Sequence, residues 1–202
     1  EIMTSHHTLL TKAIEALRAR TFYAAYPEHP APAIYGETAD ADGQTKFKTA
    51  LGKRFTELKQ IGESGWAGQE ESPYLQQPLN ISYPTFTVET LITKSKEAFH
   101  EWRKISKEDR AEILIESLER VKKRFFEIAY ATMHTTGQGY MMAFQASGPH
   151  AADRALEAIA AGYEELSRVP GTAVRDKPMG KFNIQLNKEW RAVPKGISVV
   201  IG

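Results

Sequence analysis

The sequence predicts the first part of an α/β protein that is mostly helical, with a late β-hairpin and then the first strand of a parallel sheet. Three observations lead to this fold class. Apolar residues recur at helical spacing through residues 87–166, the spacing changes to alternation after Pro170, and residues 197–201 are nearly all β-branched. A run of that last kind is typical of a parallel strand covered on both faces.

The composition is that of an ordinary globular protein with balanced charge. The 26 Lys and Arg residues face 25 Asp and Glu residues, so the formal net charge of +1 gives no electrostatic reason to expect nucleic acid or an anionic membrane as a partner. No run approaches the roughly 20 apolar residues that span a bilayer, and the first residues do not resemble a secretory signal. We therefore expect a cytoplasmic protein that binds neither nucleic acid nor membranes.

Residues 1–86 are predicted to form an amino-terminal helix followed by an irregular arm. Residues 8–20 place apolar side chains at helical spacing, and one further helix is expected at about residues 42–51. Elsewhere in residues 22–84, proline and glycine recur too often for long regular elements. The arm is rich in aromatic residues, which linkers lack, so we expect it to lie on a larger body. Its predicted anchors are Phe22, Tyr23, Tyr26, Tyr35, Trp66, Tyr74, Tyr83 and Phe86.

Residues 87–180 are predicted to be the helical part of the fold. One helix follows Thr87 and a second follows Ser106, and both hydroxyls can cap the helix that they precede. A third helix follows Gly148-Pro149. The second has the most sustained 3.6-residue period, so we expect one continuous helix there. Its buried face is predicted to consist of Ala111, Leu114, Ile115, Leu118, Val121, Phe125 and Ile128.

The strands are expected in residues 181–193 and 194–202. Apolar and polar residues alternate over residues 182–187, and residues 189–193 are predicted to run back beside them as the second strand of a hairpin. Residues 197–201 are predicted to form the first strand of a parallel sheet. Because such a strand needs further strands beside it, we expect residues 1–202 to be the first part of a longer α/β protein.

Few motifs carry chemistry. Gly137-Gln138-Gly139 follows no predicted strand, so it is interpreted as a helix terminator with a tight turn rather than a phosphate loop. Glu97 and His100 form a single pair, where a di-iron site would need two, and are expected to be exposed. His134 and His150 flank a nearly uncharged segment that either borders a cavity or packs with both histidines hydrogen-bonded. With 0 Cys, the residues alone predict no catalytic, cofactor-binding or metal site.

Two stretches resemble the amino-terminal part of the aldehyde dehydrogenase superfamily. They are Ala98-Phe99-x-x-Trp102 with the following Asp109-Arg110-Ala111, and Pro194-Lys195-Gly196-Ile197, which resembles the lead into the first strand of the cofactor-binding, Rossmann-like sheet. The whole chain is similar to the aldehyde dehydrogenase-like proteins of aerobic phenylacetate catabolism. That similarity is carried by Tyr26-Pro27-Glu28, Ile34-Tyr35-Gly36, Ser72-Pro73-Tyr74 and the segment 134–158.

The resemblance implies NAD(P)-dependent oxidation of a ring-opened CoA-thioester semialdehyde to its acid. In such enzymes the catalytic cysteine and glutamate, and the site for NAD or NADP, follow the strand that ends at Gly202, so this chain alone is expected to be inactive. Substrate-tunnel candidates are Gln145, His150, Asp153 and Arg154, with Arg154 meeting an anionic group of the substrate. An equally open interpretation places Asp153 in a buried salt bridge.

The strands in residues 181–193 resemble the extension through which these enzymes form homo-oligomers. A different class of function is also open, namely a non-catalytic helical module for interaction or assembly. A stand-alone module would not end on an uncharged β-branched strand, which favours the dehydrogenase interpretation.

Overall fold

The computed structural model describes residues 2–193 and 195–200, with side chains from His6 onward. These residues form eight helices and six short strands. The helices are α1 (Ile2–Ala19), α2 (Pro32–Tyr35), α3 (Ala39–Ala50), α4 (Val88–Trp102), α5 (Lys107–Lys122), α6 (Phe125–Thr136), α7 (Tyr140–Ser147) and α8 (Pro149–Ser167). The strands are β1 (Gly65–Ala67), β2 (Glu71–Ser72), β3 (Gln77–Pro78), β4 (Tyr83–Thr85), β5 (Thr172–Met179) and β6 (Phe182–Glu189).

The core lies between α1, α5, α6, α7 and α8. Most of its buried side chains come from helical positions, often three or four residues apart, as in Leu156 and Ala160 of α8. Each large apolar side chain buried here stabilises the fold by about 1.5–3 kcal/mol relative to exposure. No helix within the described residues is both long enough and apolar enough to cross a lipid bilayer.

The two predicted helix caps are confirmed. Thr87 Oγ1 accepts a hydrogen bond from the N–H of Thr90, and Ser106 Oγ accepts one from the N–H of Asp109. Both caps occupy extended backbone immediately before the first helical turn, which lets the hydroxyl reach the unpaired amides of that turn.

The predicted continuous helix through Ile128 is wrong, because the chain breaks between α5 and α6. Lys123 and Arg124 lie outside both helices, and the break turns Phe125 and Phe126 into the core, at 0% and 6% exposure. Leu114 and Val121, expected on the buried face, are instead 40% and 39% exposed. Periodicity could not reveal the break because the apolar spacing continues across it.

The arm lies on the helical body, as predicted. Tyr26 is 1% exposed, and Tyr35 packs edge-on against Phe126 and Phe144. Helix α3 packs on α6 and buries Phe47 in a second small core. Phe22, which was expected to be an anchor, is 85% exposed and anchors nothing.

The late hairpin is present, but its predicted pairing is wrong. Strand β6 pairs antiparallel with β5, which precedes it, and not with residues 189–193. The reason is the turn, because Gly180 adopts φ +61° and allows the two-residue reversal before Phe182. The hairpin therefore begins at Thr172, ahead of the predicted boundary at residue 181, and every residue of both strands is exposed.

The predicted strand over residues 197–201 is not formed in its described part. Residues 197–200 have no regular secondary structure, and Val199 and Val200 are 83% and 92% exposed. Ile201 lies outside the described residues, as do Pro194 and Gly202. A parallel strand forms only beside another strand, and the described chain places none next to this segment.

Candidate functional site

The arm and helix α8 are joined by a buried carboxylate. Asp153 is 5% exposed, and its Oδ1 accepts hydrogen bonds from the backbone N–H groups of Ala25 at 2.7 Å and Tyr26 at 3.3 Å. Burial raises the pKa of Asp153, and the two amide donors act against that increase. Asp153 thus holds the arm through backbone amides, which replaces the buried salt bridge considered from the sequence.

A glycine and a proline define the beginning of α8, the helix that carries Asp153. A Cβ at Gly148 would come within 2.7 Å of the Phe144 carbonyl oxygen, so only glycine fits between α7 and α8. Pro149 then begins α8 at a position where the absent N–H costs no hydrogen bond. Asp153 lies four residues after Pro149, in the second turn of α8, and contacts the arm.

The other predicted tunnel residues lie apart from one another. Arg154 forms an ion pair with Glu157 on an exposed helix surface. The His150 side chain is 60% exposed, with Nδ1 at 3.4 Å from Glu28 Oε1, and Gln145 is half-buried on α7.

Of the four predicted residues, two share a cavity. Asp153 and Arg154 line a cleft of about 130 Å³ that also contains Tyr23, whereas Gln145 and His150 do not line it. A tunnel wall made by all four residues stays a prediction.

A buried pair of a serine and a histidine, which the sequence does not predict, joins the arm to α6. Ser72 Oγ lies 2.7 Å from His134 Nδ1, and it also accepts hydrogen bonds from the N–H groups of Tyr74 and Leu75. Its own hydroxyl proton is therefore available to the histidine nitrogen. Burial lowers the pKa of His134, which favours the neutral ring that can accept this bond.

This pair is a structural clasp, not a nucleophile. Ser72 is 1% exposed, so a substrate cannot reach its hydroxyl. The His134 ring stacks on Phe47 with centroids 4.7 Å apart and an interplanar angle of 9°. The clasp closes the arm onto α6, which agrees with the predicted interpretation of a packed, hydrogen-bonded histidine. No sequence signal could reveal it, because Ser72 lies in a two-residue strand 62 residues away along the chain, too short to give a periodic pattern.

Two larger clefts have basic linings that the sequence did not reveal. One, of about 600 Å³, lies between the arm and α6 and contains Lys46, Lys53 and Arg54. The other, of about 970 Å³, lies between the turn from α4 to α5 and the chain after β6. Its charged lining residues are all cations: Arg103, Lys104, Lys107, Arg110 and Arg191.

The Gly137-Gln138-Gly139 segment does not fit the phosphate-binding loop of a nicotinamide dinucleotide site. Gly137 adopts φ +76° and caps the end of α6, so Gly137-Gln138-Gly139 follows a helix and not the strand that a dinucleotide loop requires. The predicted role as a helix terminator is confirmed. Glu97 pairs with Lys94 on the exposed face of α4, as expected for a surface pair. Within the described part of the chain, no group of three or more His, Asp or Glu side chains could hold a metal ion.

Comparison with known proteins assigns the class. Residues 83–201, more than half of the chain, match the aldehyde dehydrogenase family. The chain belongs to that family. It is similar to the crystal structure of an NAD-dependent aldehyde dehydrogenase from Burkholderia multivorans, with 42% sequence identity and a TM-score of 0.87. No curated protein sequence matches the chain.

The similarity extends well beyond the family match. It covers 94% of this chain, and therefore most of the arm, but only 34% of the Burkholderia chain. The chain thus spans about a third of the length of that structure. The predicted fold class is confirmed as a portion of an aldehyde dehydrogenase-like fold.

Proposed function

We propose that this chain is the amino-terminal part of an NAD(P)-dependent aldehyde dehydrogenase of aerobic phenylacetate catabolism, similar to the phenylacetic acid degradation protein PaaN. The proposed reaction oxidises a ring-opened CoA-thioester semialdehyde to the acid. The observation that carries the proposal is the 42% identity to an NAD-dependent aldehyde dehydrogenase over 94% of the chain, a span that includes most of the arm.

In the proposed enzyme, the catalytic groups and the cofactor site would come from the rest of the protein and not from this chain. With 0 Cys, this chain supplies no thiolate nucleophile, and Gly137-Gln138-Gly139 follows a helix instead of the strand that a dinucleotide loop requires. Its contribution would be the helical body, the arm fixed by Asp153, and a surface that meets the substrate. In that role Arg154 would face an anionic substrate group.

The experiment is a comparison of aldehydes with the purified full-length protein. We expect reduction of NAD or NADP with a CoA-thioester semialdehyde, and a higher kcat/KM than with the same semialdehyde lacking CoA. The separate chain of residues 1–202 is the control and should give no turnover. Equal kcat/KM for the two aldehydes would contradict the CoA-thioester assignment while leaving the dehydrogenase assignment intact.

We also propose that the enzyme forms a homo-oligomer through the β5–β6 hairpin and the residues that follow it, up to residue 193. Every residue of both strands is exposed, and within the described part of the chain each strand pairs only with the other, which leaves its outer edge open. One face carries Phe182, Ile184 and Leu186. Leu186→Lys in the full-length protein should dissociate the oligomer in sedimentation velocity, whereas Asn187→Lys on the other face should do so less. An unchanged sedimentation coefficient with Leu186→Lys would contradict the proposal.

We also propose a cytoplasmic location, where CoA thioesters and nicotinamide cofactors would both be supplied to the enzyme. Fractionation of cells that express the full-length protein tests this placement, with activity expected in the cytosolic fraction.

A further inference from the structure

The cleft between the arm and α6 is built entirely from residues 45–131. It has a volume of about 600 Å³, within the range of pockets that hold small molecules. Its apolar lining includes Phe47 and Ile81, which are 4% and 6% exposed. Phe55 and Tyr83 also line it, with ring centroids 5.6 Å apart. The cleft therefore offers a fixed apolar floor and aromatic surface.

The charges of the lining are unequal. Four cationic side chains, Lys46, Lys53, Arg54 and Arg124, face two carboxylates, Glu57 and Glu127. Both carboxylates bind Arg124, whose Nη2 lies 2.6 Å from Glu127 Oε1 and whose Nη1 contacts Glu57. Among the described residues, Lys46, Lys53 and Arg54 then have no carboxylate partner. An anion bound here would meet cations whose charge is not already neutralised.

Hydrogen bonds fix the backbone that carries Lys53 and Arg54. The Lys53 carbonyl accepts from the N–H of Ser82 at 3.1 Å, and the Phe55 N–H donates to the Ser82 carbonyl at 2.8 Å, so the segment between them is tied to the chain before β4. The Arg54 guanidinium carbon lies 4.9 Å from the centroid of the Trp66 ring. Such anchoring reduces the conformational entropy that a ligand must remove on binding.

We propose that this cleft binds the phosphorylated adenosine end of the CoA-thioester substrate. The inference rests on the proposed function, from which it takes the acyl-CoA substrate class. Lys46, Lys53 and Arg54 would contact the phosphate groups, because charge-assisted bonds from Lys and Arg suit phosphate oxygens. The rings of Phe55 and Tyr83 would contact the adenine base. The long pantetheine chain of CoA lets this end bind away from the reacting aldehyde carbon.

The first test measures binding to the full-length protein by calorimetry, with CoA, adenosine 3′,5′-bisphosphate and NAD as separate probes. The double variant Lys53→Ala/Arg54→Ala should weaken CoA and the bisphosphate by roughly 10- to 100-fold, since it removes two charge-assisted contacts, and leave NAD binding unchanged. Lys48→Ala is the matched control, because Lys48 lies on α3, bonds to Gln44 and does not line the cleft. Loss of NAD binding instead would overturn the inference in favour of a nucleotide cofactor.

A second variant separates binding from folding. Lys46→Ala/Lys53→Ala leaves Arg54 on Trp66 and removes two exposed side chains, so the fold should melt as the wild type does. We expect about tenfold weaker CoA binding or more, an increased KM for the CoA-thioester semialdehyde, and an unchanged kcat. Unchanged CoA binding in both double variants would overturn the inference.

These experiments distinguish a failure of the proposed substrate class from a failure of the inference about the cleft. If the wild type oxidises CoA-thioester and CoA-free semialdehydes with equal kcat/KM, the proposed substrate class fails and this inference fails with it. If the wild type prefers the thioester and the cleft variants keep that preference, only the inference about the cleft fails.

Discussion

At the scale of single residues, Asp153 and His134 bind partners that their neighbours in the sequence do not indicate. Asp153 stands beside Arg154, which suggests an ion pair, yet it accepts bonds from backbone amides 127 and 128 residues away. His134 accepts from Ser72, in a segment without periodicity. Both partners belong to the irregular arm, so no spacing rule could identify them.

Removing the Asp153 carboxylate should loosen the arm. Asp153→Ala leaves the N–H groups of Ala25 and Tyr26 without an acceptor, and should reduce the free energy of unfolding by about 1–3 kcal/mol. Asp153→Asn retains an acceptor oxygen and should cost less. Denaturant unfolding measures both, with the exposed Arg154→Ala as control. Equal stability of Asp153→Ala and the wild type would contradict the role assigned to this carboxylate.

The His134 clasp predicts a dependence of stability on pH. Because the folded-state pKa lies below the ordinary value of 6.5, the unfolded state binds more protons in the interval between the two. The clasp's contribution is therefore fully present above about pH 6.5 and is lost as the pH falls through the folded-state pKa.

The test follows the free energy of unfolding from neutral to mildly acidic pH. His134→Gln should be less stable than the wild type at neutral pH, and its stability should decrease less steeply on acidification. His150→Gln, which removes an exposed histidine, controls for the loss of an imidazole. Parallel curves for the wild type and His134→Gln would refute this account of the clasp.

At the scale of elements, local sequence signals predict where capped helices begin, but they do not predict where one helix ends or which strand pairs with which. The caps at Thr87 and Ser106 were identified because a hydroxyl before an amphipathic run has a defined role. The break between α5 and α6 and the partner of β6 were not identified. Both depend on tertiary packing and on a turn at Gly180, and charged residues such as Arg175 and Lys177 obscured the alternation of β5.

The contact between α3 and α6 requires a glycine. A Cβ on Gly43 would lie 2.4 Å from Phe126 Cβ and 2.8 Å from the Glu127 backbone nitrogen, so Gly43→Ala must push the two helices apart. We expect a loss of about 1–3 kcal/mol in the free energy of unfolding.

Gly162→Ala provides a matched control for that substitution. Gly162 lies within α8 with nothing within 4 Å of an added Cβ, so alanine should stabilise the helix by about 0.5–1 kcal/mol. Thermal or denaturant unfolding compares the two variants. A neutral or stabilising Gly43→Ala would show that the arm does not pack on α6 as described.

At the scale of the whole molecule, the fold class and the family could be predicted because the helical periods and the quoted motifs extend along most of the chain. The basic cleft could not be predicted, because Lys46, Lys53 and Arg124 meet only after the arm folds onto α6.

Helix α4 has no buried residue within the described chain, and its apolar Val88 and Leu91 are 64% and 48% exposed. In an enzyme as long as the Burkholderia structure, of which this chain covers 34%, we expect the remaining chain to cover that face.

The proposed function places this chain in an enzyme that oxidises a CoA-thioester semialdehyde. Its most direct test is the formation of reduced nicotinamide cofactor by the purified full-length protein, with the thioester semialdehyde and its CoA-free counterpart compared at equal concentrations. We expect turnover when both NAD(P) and aldehyde are present, and a clear preference in kcat/KM for the thioester. No cofactor reduction with any aldehyde, from a folded full-length protein, would contradict it.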